Sequence, residues 1–271
     1  MNTSNAPMQI GRVALTVNDI TKVGDFYQTT LGLERLSGDG EVARFGAGGR
    51  VLLELRADRA ARRAAPREAG LFHTAFLLPD RADLGRWLLH ASDLDVALAG
   101  ASDHAVSEAL YLSDPEGNGI EIYIDRPRAL WSHKDGQVQM TTERLDLQAL
   151  AAAGTGPWTG APDGTVVGHV HLQVGALPEA EAFYAGTLGF ALTCRYPGGS
   201  FYGSGGYHHH LASNIWNSRG AGPRALPATG LADLEIRADA AELAAIRARS
   251  GGADVLQDPW GTSITITAKN A

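Results

Sequence analysis

The sequence predicts an α+β fold built from four β-α-β-β-β modules. Three observations predict it: the chain repeats itself, each repeat opens on an alternating apolar strand followed by a helix-spaced stretch, and a Pro- and Gly-bearing break separates two halves. Ile10-Gly11-Arg12-Val13-Ala14-Leu15-Thr16-Val17 returns as Val167-Gly168-His169-Val170-His171-Leu172-Gln173-Val174. At the same offset, Phe26-Tyr27 with Leu31-Gly32-Leu33 returns as Phe183-Tyr184 with Leu188-Gly189-Phe190.

Module one covers about 9–57. Val13, Leu15 and Val17 alternate as on a half-buried strand, and Ile20, Val23, Phe26 and Tyr27 follow at helical spacing. Ala43-Arg44-Phe45 and Val51-Leu52-Leu53-Glu54-Leu55 are short strands set off by glycines. Module two, 70–126, opens at Gly70-Leu71, and its last turn is Asp114-Pro115-Glu116-Gly117. The stretch 127–165 carries Pro127, Pro157 and Pro162, with Leu145, Leu147 and Leu150 suggesting one short helix. It is long for a compact protein, so it reads as a linker wrapped over a surface. Module three covers 166–216. Module four, 229–268, opens at Gly230-Leu231 and ends after Asp258-Pro259-Trp260-Gly261. The expected organisation is domain one at 1–126, the linker at 127–165, and domain two at 166–271.

Composition excludes several classes. The net charge of −7 and the lack of a Lys/Arg cluster argue against nucleic-acid binding. Cys194 is the single cysteine, so neither a disulfide framework nor a thiolate metal site can form within the chain. Met1 to Gln9 lacks an apolar signal core, and no apolar run is long enough to span a bilayer. The expectation is a cytoplasmic protein without membrane partners.

Four such modules resemble the vicinal oxygen chelate superfamily, which includes glyoxalase I, antibiotic-resistance proteins and extradiol ring-cleaving dioxygenases. Leu110-Tyr111-Leu112-Ser113-Asp114-Pro115-Glu116-Gly117-Asn118-Gly119-Ile120-Glu121 and Tyr207-His208-His209-His210-Leu211 are similar to the catechol 2,3-dioxygenase branch. The resemblance implies modules paired into two half-open barrels, with metal ligands on the first and last strands of each module. The first-strand slots hold Arg12, His73, His169 and Asp233. The last-strand slots hold Glu54, Glu121, a position near Leu211, and Thr265. If modules two and three face each other, His73, His169 and Glu121 meet as two imidazoles and one carboxylate, the ligand set of non-haem iron(II) oxygenases. Modules one and four then form a dead site around Arg12. Pairing one with two, or three with four, gives poorer ligand sets.

The resemblance further implies Fe(II), with Mn(II) admitted by the same geometry, acting with O2 on a small catechol-type aromatic. His209 is the candidate acid/base, Tyr111 the phenol beside the metal, His104 a further pocket residue, and His171 a pocket wall on the face of His169. Each also has a plain structural reading. Tyr111 suits an aromatic strand core, and Ser102-Asp103-His104 suits a hydrogen-bonded turn. His208, His210 and His133 read as structural or surface residues, and Trp131, Trp158, Trp216 and Trp260 as packing. Two other functions stay open. A glyoxalase-type isomerase would need a fourth protein ligand where Leu211 falls. A non-catalytic aromatic- or drug-binding protein would need no ligands at all. Edge strands of such barrels often pair, so a homo-oligomer is also allowed for.

Overall fold

The computed structural model describes residues 5–269. The outermost residues of the two expected domains, 1–4 and 270–271, lie outside them. The fold is mixed α+β, with two large curled sheets and few helices.

Module one runs β1 (Met8–Val17), α1 (Ile20–Thr29), β2 (Glu34–Gly38), β3 (Val42–Ala47) and β4 (Arg50–Ala57). Module two runs β5 (Gly70–Leu77), α2 (Arg81–Asp93), β6 (Gly100–Asp103), β7 (Ser107–Ser113) and β8 (Gly119–Asp125). The connecting stretch holds β9 (His133–Lys134), β10 (Gln137–Val138), β11 (Glu143–Arg144) and α3 (Leu147–Ala153). Module three has β12 (Val166–Gln173), α4 (Leu177–Glu181) running into a π-helical turn at Ala182–Thr187, β13 (Ala191–Tyr196), β14 (Gly199–Gly203) and β15 (Leu211–Asn214). Module four has β16 (Gly230–Ala238), α5 (Ala240–Ser250), β17 (Val255–Gln257) and β18 (Ser263–Ala268). It is therefore one strand short of the expected β-α-β-β-β pattern.

Local chemistry explains these boundaries. Asp19, Asp80, Asp146 and Asp239 cap α1, α2, α3 and α5, each carboxylate accepting from a backbone N–H three residues on. The closing turns of modules two and four share one construction. Asp114 Oδ1 accepts from the N–H of Glu116 and Asn118, and Asp258 Oδ1 from that of Trp260 and Thr262. Gly117 and Gly261 take the left-handed conformation these turns require (φ +87° and +84°). Each turn also receives a helix tyrosine from the preceding module: Tyr27 hydrogen-bonds Asp114, and Tyr184 donates to Asp258 at 2.7 Å.

The modules pair two with three and one with four. One sheet runs β11-β6-β7-β8-β5-β12-β15-β14-β13, the other β17-β18-β16-β1-β4-β3-β2. Antiparallel pairing of β5 with β12, and of β1 with β16, forms each join. The main core lies behind the sheets and includes Leu15, Tyr27, Phe76, Trp87, Tyr184, Tyr202 and Ile246. The stretch 127–165 does more than wrap a surface. β11 extends the larger sheet beside β6, and Trp131 and Val138 pack on Val106 and Tyr207. Leu145 precedes α3 rather than lying in it.

Candidate metal centre

β5, β8 and β12 are neighbouring central strands of the larger sheet, each with a strongly apolar burial pattern. That placement carries His73, Glu121 and His169 to one buried point. One donor atom from each of the three lies within 4.8 Å of the others. Glu121 Oε2 is 2.9 Å from His73 Nε2 and 3.2 Å from His169 Nε2. Adjacent donors bound at right angles, each about 2.1 Å from a metal, stand roughly 3 Å apart, so both separations suit one shared ion. His73 Nε2 is buried and, although it lies 2.9 Å from Glu121 Oε2, it is left without a well-formed hydrogen bond. A buried imidazole nitrogen without a hydrogen-bond partner calls for an explanation, and a metal ion shared by these three donors supplies one. The residues thus fit a divalent cation. Burial alone would raise the Glu121 carboxyl, but His169 and His73 outweigh it and hold it well below the usual range.

The sheet register locates the equivalent slots. Two residues beyond each first-strand slot, the parallel partner on the module's last strand is Glu54 opposite Ala14, Glu121 opposite Ala75, Ala212 opposite His171, and Thr265 opposite Glu235. The module-three slot is therefore Ala212, not Leu211. The one-residue difference arises because β15 begins only at Leu211, and His208–His210 precede it as irregular backbone instead of continuing the strand. A methyl group coordinates no better than an isobutyl group, so three protein ligands remain.

In the smaller sheet the corresponding point is occupied by Arg12. Its Nη1 is 3.2 Å from Asp233 Oδ2 and 3.9 Å from Glu54 Oε1. Arg44 and Arg56 also bond Glu54, and Ser263 and Thr265 donate to Asp233.

A cavity of about 310 Å³ opens over His73, Glu121 and His169. This lies at the small end of ligand pockets, which run roughly 300–1,000 Å³. His104, Tyr111, His171 and His209 all line it, so the structure brings every singled-out residue to one chamber. Tyr111 bonds His104 Nε2 at 2.7 Å, and His104 Nδ1 lies 2.6 Å from the Thr141 carbonyl. A carbonyl only accepts, so Nδ1 carries the proton. In neutral His104 the Tyr111 hydroxyl then donates to Nε2, leaving its oxygen free to accept from a ligand. Burial, then Glu121, pushes the Tyr111 phenol well above 10. The His209 ring lies over His169 at 4.1 Å between centroids. Burial, followed by His169 and His208, holds His209 well below its ordinary value. His171 is likewise pushed well down by burial and then by His73, and its Nε2 has no hydrogen-bond partner.

Sequence reasoning missed part of the wall. Phe72, Phe201 and Trp216 line the cavity and surround His171, with Trp216 45% exposed at its edge. Phe72 should face away from His73 by alternation. A bulge at Phe72, where the β5–β12 register slips between His171 and Leu172, turns both residues inward, and no residue pattern announces it. Met140, Thr141 and Thr142 reach the cavity from the connecting stretch. His208 and His210 are fully buried, not surface residues. His208 contacts Asp125, and His210 Nδ1 accepts from the Ser204 N–H.

The architecture is a half-open-barrel α+β fold with a candidate metal site. The chain belongs to the Glyoxalase/Bleomycin resistance protein/Dioxygenase superfamily, whose family profile matches residues 9–122 and 166–265. It is 43% identical over 237 residues to the catechol-2,3-dioxygenase of Bacillus subtilis (strain 168), covering 85% of this chain and 83% of that protein. It is 38% identical over 60 residues to biphenyl-2,3-diol 1,2-dioxygenase 3 of Rhodococcus globerulus, covering 22% of this chain and 32% of that one. Among solved structures, glyoxalase I of Zea mays superposes with a TM-score of 0.58 at 14% identity, covering 99% of this chain and 95% of that one. That similarity shows the shared fold. Among the described residues no helix is long and apolar enough to cross a membrane.

Proposed function

We propose that this chain is a non-haem Fe(II) extradiol dioxygenase that cleaves a small catechol with O2. One observation carries the reading: a two-imidazole, one-carboxylate set has Ala212 in its fourth slot and shares a cavity with His209 and the Tyr111–His104 pair. Fe(II) is preferred and Mn(II) fits the same donors. The similarity to the Bacillus subtilis catechol-2,3-dioxygenase supports the class. An isomerase that needs four protein ligands finds none at Ala212.

When bound, the metal supplies chelation of the two catechol oxygens and activation of O2. The protein's own residues do the rest. Phe72, Phe201 and Trp216 provide apolar edges and faces for an aromatic ring. Neutral His209 takes a proton from a catechol hydroxyl and returns it later in turnover. Tyr111, held by His104, accepts a hydrogen bond from a substrate hydroxyl.

Protein loaded with iron anaerobically, then mixed with catechol and oxygenated buffer, is expected to consume one O2 per catechol and form a yellow ring-opened product. Stoichiometric iron with no O2 uptake for catechol or alkylcatechols sinks the reading.

A further inference from the structure

The His-His-His run continues behind the cavity into a chain of polar groups. Asp125, the last residue of β8, lies four residues beyond Glu121 on the same strand and borders a surface depression with Leu77, Arg126 and Trp131. Its Oδ1 is 2.9 Å from His208 Nε2 and accepts from the Tyr207 hydroxyl at 3.0 Å. His208 Nδ1 is 2.7 Å from His209 Nδ1. Tyr123 and Tyr207 share a hydrogen bond of 2.8 Å.

The protons in this chain can be placed one by one. A carboxylate only accepts, so His208 carries its proton on Nε2. In neutral His208, Nδ1 is then a lone pair, and the nearby ring nitrogen of His209 must donate to fill it. With both rings uncharged, His209 carries its proton on Nδ1, which leaves Nε2 as the unprotonated nitrogen available to the cavity. The Tyr207 proton is committed to Asp125, so Tyr123 donates to Tyr207. Gly168 makes room for this arrangement, since a Cβ there would overlap the Tyr123 hydroxyl.

We infer that Asp125 and His208 are positioning residues that lock His209 into its Nδ1–H tautomer, with Nε2 facing the metal cavity as the proton acceptor. The logic is that of a buried carboxylate orienting a catalytic imidazole, here relayed through a second imidazole. Released from His208, a neutral imidazole can hold its proton on either nitrogen. The consequence for turnover rests on the dioxygenase reading; the tautomer does not.

Ring 15N NMR of the metal-free full chain, with His209 assigned through His209→Gln, tests the tautomer directly. The wild type is expected to show a protonated Nδ1 and a bare Nε2. In Asp125→Asn and His208→Phe the pattern is expected to become mixed or inverted. Phe at 208 keeps the stacking on Tyr207, whose ring is 4.0 Å away. A wild-type His209 protonated on Nε2 overturns the inference, and so does a pattern unmoved in folded variants. The wild-type spectrum alone decides if neither variant folds. In the iron-loaded enzyme, Asp125→Asn is expected to lower kcat about tenfold or more with KM unchanged, and Asp125→Glu to recover part of it. A KM effect with kcat intact also overturns the proposal. Absence of turnover in the wild type counts against the dioxygenase reading instead, and the NMR measurement then decides the tautomer.

Discussion

The Arg12 guanidinium lies 3.2 Å from the Asp233 carboxylate, at the point of the smaller sheet that corresponds to the His73–Glu121–His169 cluster. In the smaller barrel a cationic side chain fills this point, and in the larger one three donors converge with no side-chain cation among them. Arg12→Met should destabilise the protein by about 3 kcal/mol, the low end of the range for breaking a buried pair, because Arg44 and Arg56 still serve Glu54. Urea unfolding at neutral pH measures this, and a loss under about 1 kcal/mol would show that Arg12 is not needed to neutralise the carboxylates.

The same cluster sets an acid limit on stability. Burial would raise the Glu54 carboxyl, but Arg56, Arg12 and Arg44 together hold it below its ordinary 4.5. A depressed carboxyl contributes stability above its unfolded pKa and loses it as pH falls through the folded value. Wild-type stability should therefore decline below about pH 4.5, and the gap between wild type and Arg12→Met should narrow there. A gap that stays constant down to pH 3 contradicts the pairing.

His73→Ala should abolish stoichiometric metal binding, since two donors hold a divalent ion far more weakly than three. Elemental analysis after iron loading and desalting checks this, with folding confirmed by an unchanged thermal transition. Retained iron at wild-type stoichiometry would mean the ligand set is wrong.

Much of this architecture was legible in the residues because it repeats. The recurring strand, the Phe-Tyr helix and the Asp-Pro-x-Gly turn mark modules, and comparing modules marks equivalent slots. His73, Glu121 and His169 could be aligned this way because each sits on a regular strand. The fourth slot was misplaced by one residue because His208–His210 leave the strand, so alternation no longer counts faces there. Phe72 was missed for the same reason, since a bulge breaks the period of two. Trp216 and Met140 approach from beyond the strands, where local pattern carries no information about distance in space. Asp125 and His208 form a pair 83 residues apart, between modules two and three, which no local spacing encodes.

Tyr111→Phe should lower kcat by roughly a hundredfold while metal content stays at the wild-type value, because it removes one oxygen aimed at the reacting region. It also leaves His104 Nε2 without its 2.7 Å partner. His104→Phe should then produce a smaller loss than Tyr111→Phe, since it loosens the phenol without deleting it. Equal or inverted losses would make His104, rather than Tyr111, the group that meets the substrate.

The cavity should also discriminate by substrate charge. Its lining contains Glu121 and neutral polar or apolar side chains, and no Lys or Arg among the described residues. A carboxylate on the catechol ring would be carried into this chamber without a Lys or Arg partner, the metal's charge being offset by Glu121 and the two catechol oxygens, and burying an unpaired charge costs several kcal/mol unless it neutralises. Relative to 4-methylcatechol, 3,4-dihydroxybenzoate should show kcat/KM reduced at least about a hundredfold, a transition-state difference near 2.7 kcal/mol. The methyl ester of that acid removes the charge and keeps most of the shape, so it should recover most of the loss. If acid and ester react equally slowly, size and not charge limits entry, and the narrow aromatic wall of Phe72, Phe201 and Trp216 becomes the determinant. Substituting Trp216 by Ala, at the exposed edge of that wall, would then admit both.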